Sequence, residues 1–186
     1  MPHMKGDLMK AVSFGCLVAV LVLGSSGAAW AQASKSAPLA KELATALEAA
    51  KADSIAAKDP ANADTYIGAL YFSGFELLVI SGKYSAPALI DSRLAKKEYN
   101  DIYLELNGAV TAGTKVFIED MGINGLAAKR DENQPFDSVE MGDKRTALDG
   151  DWKKQKISED DYMNTFAAAE ARYVQILTAL IAQAKK

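Results

Sequence analysis

The only histidine of this 186-residue chain, His3, and its only cysteine, Cys16, both lie before residue 17. The rest of the chain therefore folds without a disulfide and without a His/Cys metal staple. It must bury an apolar core of its own, and the chain from residue 34 onward is long enough to do so as one domain. The same placement removes whole classes of chemistry. Zinc or copper sites built on His and Cys, covalent c-type haem attachment, Ser-His-Asp catalysis and Cys-His catalysis all lack their ligands or nucleophiles. Carboxylate chemistry, a Ser-Lys or Tyr device, and oxygen-ligand metals such as calcium are what remain.

The first 33 residues have the three parts of a secretory signal. Lys5 and Lys10 supply positive charge, Ala11 to Leu23 form an apolar run, and Ala29-Trp30-Ala31-Gln32-Ala33 ends in small-x-small sites. The apolar run is shorter than the roughly 20 residues of a spanning helix. The reading is a bacterial-type signal, cleaved before Gln32 or Ser34, with a periplasmic or secreted product and no stable membrane insertion after cleavage. Lys5, Asp7 and Lys10 leave with the leader. That leaves 19 of the 21 basic residues and 23 of the 24 acidic ones, a net charge of −4. Such a weakly acidic surface draws in neither nucleic acid nor anionic lipid.

Periodicity predicts a mainly α domain over residues 34–186. Leu39, Leu43, Leu47 and Ala50 recur at helical spacing and predict a first helix from Pro38 to Lys58. Tyr66 to Ile80 is apolar nearly all round, which predicts a buried second helix from Asp64 to Ser81. Its aromatics Tyr66, Tyr71, Phe72 and Phe75 are core candidates, with the lining of a ligand cavity as the alternative. Asp91 to Ala112 reads as a third helix, with Leu94, Tyr99, Ile102, Tyr103 and Leu106 as its apolar stripe. Ser158 with Asp161 forms a capping box that starts the last helix. Tyr162, Phe166, Ala169, Tyr173, Ile176 and Leu180 then recur at spacings of four and three, a narrow seam to be buried within the chain. The expected architecture is a four-helix bundle-like domain. A small β-containing irregular excursion, residues 113–157, lies between helices three and four and begins with a strand at Lys115–Ile118.

Long irregular stretches inside compact domains are often functional, so candidate site residues concentrate in this excursion. Met121, Asn124, Arg130, Phe136 and Trp152 combine apolar, aromatic and polar groups in a polar context and form a candidate ligand or partner surface. The alternative is that they fold the loop onto the core. Asp120, Asn124 and Asp131 stand at positions one, five and twelve of a calcium-loop count, with Gly125 at six. Gly122 at position three supplies no ligand and a strand precedes the segment, so a turn is the stronger expectation. Paired carboxylates at Glu119-Asp120, Asp131-Glu132, Asp137, Glu140 and Asp143 raise a hydrolase without histidine. Ser85 after Lys83 and Tyr84 makes no Ser-Lys motif.

Helices leading into Val116-Phe117-Ile118-Glu119-Asp120-Met121-Gly122 and a polar loop resemble exported Cache or PAS-like sensor modules over Val116 to Gly125. The resemblance implies a small-ligand-sensing module and carries over no site residue. The residues themselves point first to a non-enzymatic exported binding or scaffold protein. It would act without a cofactor on a partner protein or small ligand, with the sensor module and the carboxylate hydrolase as alternatives.

Overall fold

The structure is a computed structural model that describes residues 34–82, 116–130, 133–142 and 144–186. The expected signal segment, the expected third helix over Asp91 to Ala112, Lys83 to Ser85, Lys115, Asp131, Glu132 and Asp143 lie outside the described residues. The described elements are α1 (Ser36–Ala50), β1 (Ser54–Lys58), β2 (Tyr66–Phe72), β3 (Glu76–Gly82), β4 (Val116–Met121), β5 (Asp137–Met141), β6 (Lys144–Leu148) and α2 (Glu159–Ala184). The six strands form one antiparallel sheet in the order β1-β2-β3-β4-β5-β6.

The expected all-α, four-helix bundle is therefore wrong. The described part is an antiparallel sheet carrying two helices. The error has two sources. The first predicted helix stops early: Lys51 turns left-handed at φ 54°, and its N–H returns to the Glu48 carbonyl. The chain then re-enters as β1, paired to β2 through Ile55↔Ala69 and Ala57↔Ile67. The second predicted helix is the β2–β3 hairpin. Ser73-Gly74-Phe75 makes its three-residue turn, with Gly74 at φ +70°. Every residue of β3 and the central five of β2 are buried. A strand buried on both faces loses the apolar–polar alternation and reads like a buried helix.

One face of the sheet carries Ile67, Ala69, Leu77, Val79, Ile118, Val139 and Leu148. These pack with Leu43 and Leu47 of α1 and with Tyr173, Ile176, Leu177 and Leu180 of α2 in one core. The opposite face carries Leu70, Leu78, Ile80 and Phe117, none more than 5% exposed. The excursion, expected to be largely irregular, supplies β4, β5 and β6, half of the strands. The last helix is as the sequence predicts. Ser158 caps it, its Oγ accepting the Asp161 N–H at 3.0 Å while donating to the Asp161 carboxylate at 2.7 Å. Tyr162, Ala169, Tyr173, Ile176 and Leu180 are fully buried and Phe166 partly so. The seam packs on α1 and the sheet of the same chain.

Candidate functional site

The site lies at the end of the sheet where β4 leaves and β5 returns. Successive strand residues point to opposite faces, so Glu119 and Asp120 part company. Glu119 bonds Ser138 Oγ and the Arg145 guanidinium, the latter at 2.5 Å. Asp120 turns toward the helices and is fully buried. Its Oδ1 accepts the Asn124 N–H at 3.0 Å, and its Oδ2 accepts the Gly125 N–H at 3.0 Å and the Tyr173 hydroxyl at 2.9 Å. These bonds close the turn after β4, in which Gly122 and Gly125 take φ +88° and +80°. Gly125 is also irreplaceable for space, because a Cβ there would overlap the Ala37 nitrogen and Ser34 Oγ.

Two further acids hold the rest of the loop. Asp137, 5% exposed at the start of β5, accepts the Met121 N–H at 2.8 Å on Oδ1 and the Ala127 N–H at 2.9 Å on Oδ2. Glu170 of α2 accepts the Ser36 N–H at 2.9 Å and the Ser36 hydroxyl at 2.7 Å, while the Leu126 N–H donates to the same Ser36 Oγ at 3.0 Å. Tyr162 completes the set, donating to the Ala128 carbonyl at 2.6 Å and accepting the Gly150 N–H at 2.9 Å. Every link from 124 to 128 thus ends on a buried polar side chain.

Burial of like charges shapes the electrostatics. Burial, reinforced by the charges of Asp120 and Glu170, pushes Asp137 up to about 7, against the pull of its two backbone donors. Asp120 is raised by burial despite its Tyr173, Asn124 and Gly125 bonds. Burial also raises the phenols, Tyr162 to about 12 and Tyr173 well above the ordinary value.

Beside this network opens a cleft of about 110 Å³, lined by Met121, Asn124, Ala127, Lys129, Arg130, Gln134, Pro135, Phe136, Asp137 and Leu148. Arg130 lies over Phe136 with its guanidinium carbon 5.1 Å from the ring centre, and its Nη1 donates to the Gln134 carbonyl at 3.1 Å. Phe136 is 39% exposed. Four of the five residues singled out from the sequence, Met121, Asn124, Arg130 and Phe136, therefore meet at one place. The fifth, Trp152, stands apart, half-buried against the core with its ring centre 6.3 Å from that of Tyr162.

Of the calcium count, Asp120 has both oxygens engaged by N–H and O–H donors, Asn124 lines the cleft, and Asp131 is outside the described residues. No group of three or more His, Cys, Asp or Glu side chains among the described residues is arranged to hold a metal. Of the hydrolase candidates, Asp120 and Asp137 are neighbours, but each holds backbone amides with both oxygens. The aromatics expected on a single helix are spread over β2 and its turn, where the Tyr71 hydroxyl bonds Glu48. Sequence reasoning missed Ser36, Glu170 and Tyr173 as parts of this site. Glu170 flanks the apolar seam next to Ala169, and nothing in the sequence separates it from a helix-surface acid. Comparison with family models, with curated proteins and with solved structures gives no match for this chain.

Proposed function

We propose that this is an exported, non-enzymatic binding protein that takes a side-chain-sized group of a partner protein or small ligand into the cleft between Met121 and Phe136. The observation that carries this reading is the convergence of Met121, Asn124, Arg130 and Phe136 on one cleft. An exposed aromatic under a guanidinium gives flat apolar contact and charge together. The cleft measures about 110 Å³. That is well below the roughly 300 Å³ at which drug-sized pockets begin. The cleft suits one anchoring side chain, with the rest of a partner lying across the surface. Export to the periplasm or beyond rests on the leader's composition.

The carboxylate hydrolase is disfavoured by the commitment of the buried acids. A general acid or nucleophile needs a free oxygen facing the substrate, and both oxygens of Asp120 and of Asp137 accept backbone N–H groups. The test is an amide-resolved NMR titration of the purified chain with N-acetyl amino-acid amides bearing acidic, aromatic or aliphatic side chains. Shifts should cluster at Met121, Asn124, Ala127 and Arg130 and vanish in the Arg130→Ala/Phe136→Ala double variant. Shifts confined to another surface, or turnover of glycoside or ester probes that Asp137→Asn abolishes, would overturn the proposal.

A further inference from the structure

We propose that the cleft is gated by acid. The loop 122–130 is held down while the carboxylate cluster beneath it, Asp120, Asp137 and Glu170, is not fully ionised, and is released when all three carry charge. This rests on reading the cleft as the binding site, because Asn124, Ala127, Lys129 and Arg130 of this loop line it.

Three acids meet under one short loop, each from a different element. Asp120 ends β4 and holds the Asn124 and Gly125 amides. Asp137 starts β5 and holds Met121 and Ala127. Glu170, from α2, holds Ser36, which in turn holds the Leu126 amide. Among the described residues, the groups facing the cluster do nothing to neutralise it. From α2 come the phenols Tyr162 and Tyr173, both shifted away from ionisation. From the start of α1 come only the hydroxyls of Ser34 and Ser36. Asp149, beyond β6, adds a further negative charge near Tyr162. Lys129 and Arg130 are exposed at the cleft mouth. Arg145, on β6, is bound to Glu119, which points to the other face of the sheet.

Ionising the last of three buried acids adds like-charge repulsion at low dielectric. The least costly relief is to let water in. The loop can yield without unfolding the sheet, because it adds no strand of its own; its opening works against the burial of Ile123, Leu126 and Ala128 and the Tyr162–Ala128 bond, which return it when the charge is removed. Asp137, which titrates near 7, is the group whose charge changes between mildly acidic and mildly alkaline conditions. Its protonated form keeps the loop seated, and its ionised form favours hydration.

The experiment is amide hydrogen exchange of the whole chain, read by NMR at pH 6 and pH 8 and divided by the intrinsic base-catalysed rate. Protection at Asn124, Gly125, Leu126 and Ala127 should drop about tenfold or more from pH 6 to pH 8, while Leu78 and Val79 of β3 keep theirs. The Asp137 carboxyl carbon should titrate near the same midpoint. Glu170→Gln removes one charge and retains an acceptor for Ser36. It should lower the Asp137 midpoint and restore loop protection at pH 8. Asp137→Asn should abolish the pH dependence.

Loop protection that is equal at pH 6 and pH 8, or an Asp137 that titrates with ordinary carboxylates, would overturn the gate. So would N-acetyl amino-acid amides that bind equally well at both values while the loop opens. If those probes bind at neither pH, the cleft is not the binding site, and the exchange data still decide whether the loop is acid-gated.

Discussion

Tyr173→Phe isolates one hydrogen bond in the centre of the molecule. The Tyr173 side chain is fully buried, and its hydroxyl donates to Asp120 Oδ2 at 2.9 Å. Phenylalanine keeps the ring and its packing, so no cavity of consequence forms. What is lost is a donor to a buried carboxylate, and bonds to charged groups contribute about 1.5–3 kcal/mol. Asp120 keeps the Asn124 and Gly125 amides while the loop is seated and meets water when it is released, which keeps the loss in that range rather than at the full cost of an unpaired buried charge. Urea melts followed by far-UV circular dichroism at pH 8 should show a lower midpoint at unchanged slope, which marks a change of stability alone. The variant should also raise the Asp120 pKa further, since a bond that favours the charged form is gone. As pH falls and Asp120 takes up its proton, the difference between variant and wild type should therefore shrink. A loss under about 0.5 kcal/mol at pH 8, the range of ordinary surface changes, would refute the reasoning, because Asp120 would not then be held by Tyr173.

Four further predictions concern the fold and its charges. Ile176→Ala should cost about 2–5 kcal/mol as a core cavity, and Phe166→Ala less because Phe166 is only partly buried; Gln175→Ala, on the exposed side of α2, should cost under about 0.5 kcal/mol by the same urea melts. Gly125→Ala should destabilise by at least about 1 kcal/mol in thermal melts, since φ +80° and the overlap with Ala37 both oppose a side chain. Stability measured against pH should fall between about pH 4 and pH 7. Asp137 titrates at 3.8 in the open chain and near 7 when folded, so the folded state holds the extra proton in that window. Ionisation costs up to about 4 kcal/mol at 1.36 kcal/mol per unit. Asp59 acts with the opposite sign. Burial raises its pKa, but the Arg172, Ser81, Ala61 and Thr65 bonds outweigh that and hold it below 3.8. Its contribution is present above that value and lost as pH falls through the folded pKa, and the Arg172→Ala variant should lack this acid limb.

What the sequence made legible depended on whether a segment meets solvent. The capping box at Ser158 and the four-three spacing from Tyr162 to Leu180 survive in α2 because one side of that helix stays exposed and polar. In β2 and β3 both faces are buried, so Ile67 to Tyr71 and Leu77 to Ile80 lose the alternation that distinguishes strand from helix. Ser73-Gly74 in the middle of that run is the one local sign of a hairpin, and a single glycine is also tolerated in a helix. At the site, Met121, Asn124, Arg130 and Phe136 are legible because apolar and aromatic residues stand out in a polar loop. Trp152 stands out equally but packs toward Tyr162, since composition alone does not give direction. Asp137 reads in sequence as one of many solvated loop acids, and Glu170 as an ordinary helix-surface acid. Only tertiary contact shows that these two acids, far apart in sequence, are buried beneath the same loop.

The most direct test of the binding reading is crystallographic. Crystals of the purified chain grown near pH 6 and soaked in N-acetyl amino-acid amides should show a side chain seated between Met121 and Phe136, with Arg130 Nη1 or Asn124 in hydrogen-bond contact. Ligand density at another surface, with the cleft between Met121 and Phe136 holding only water at saturating concentrations, would contradict it.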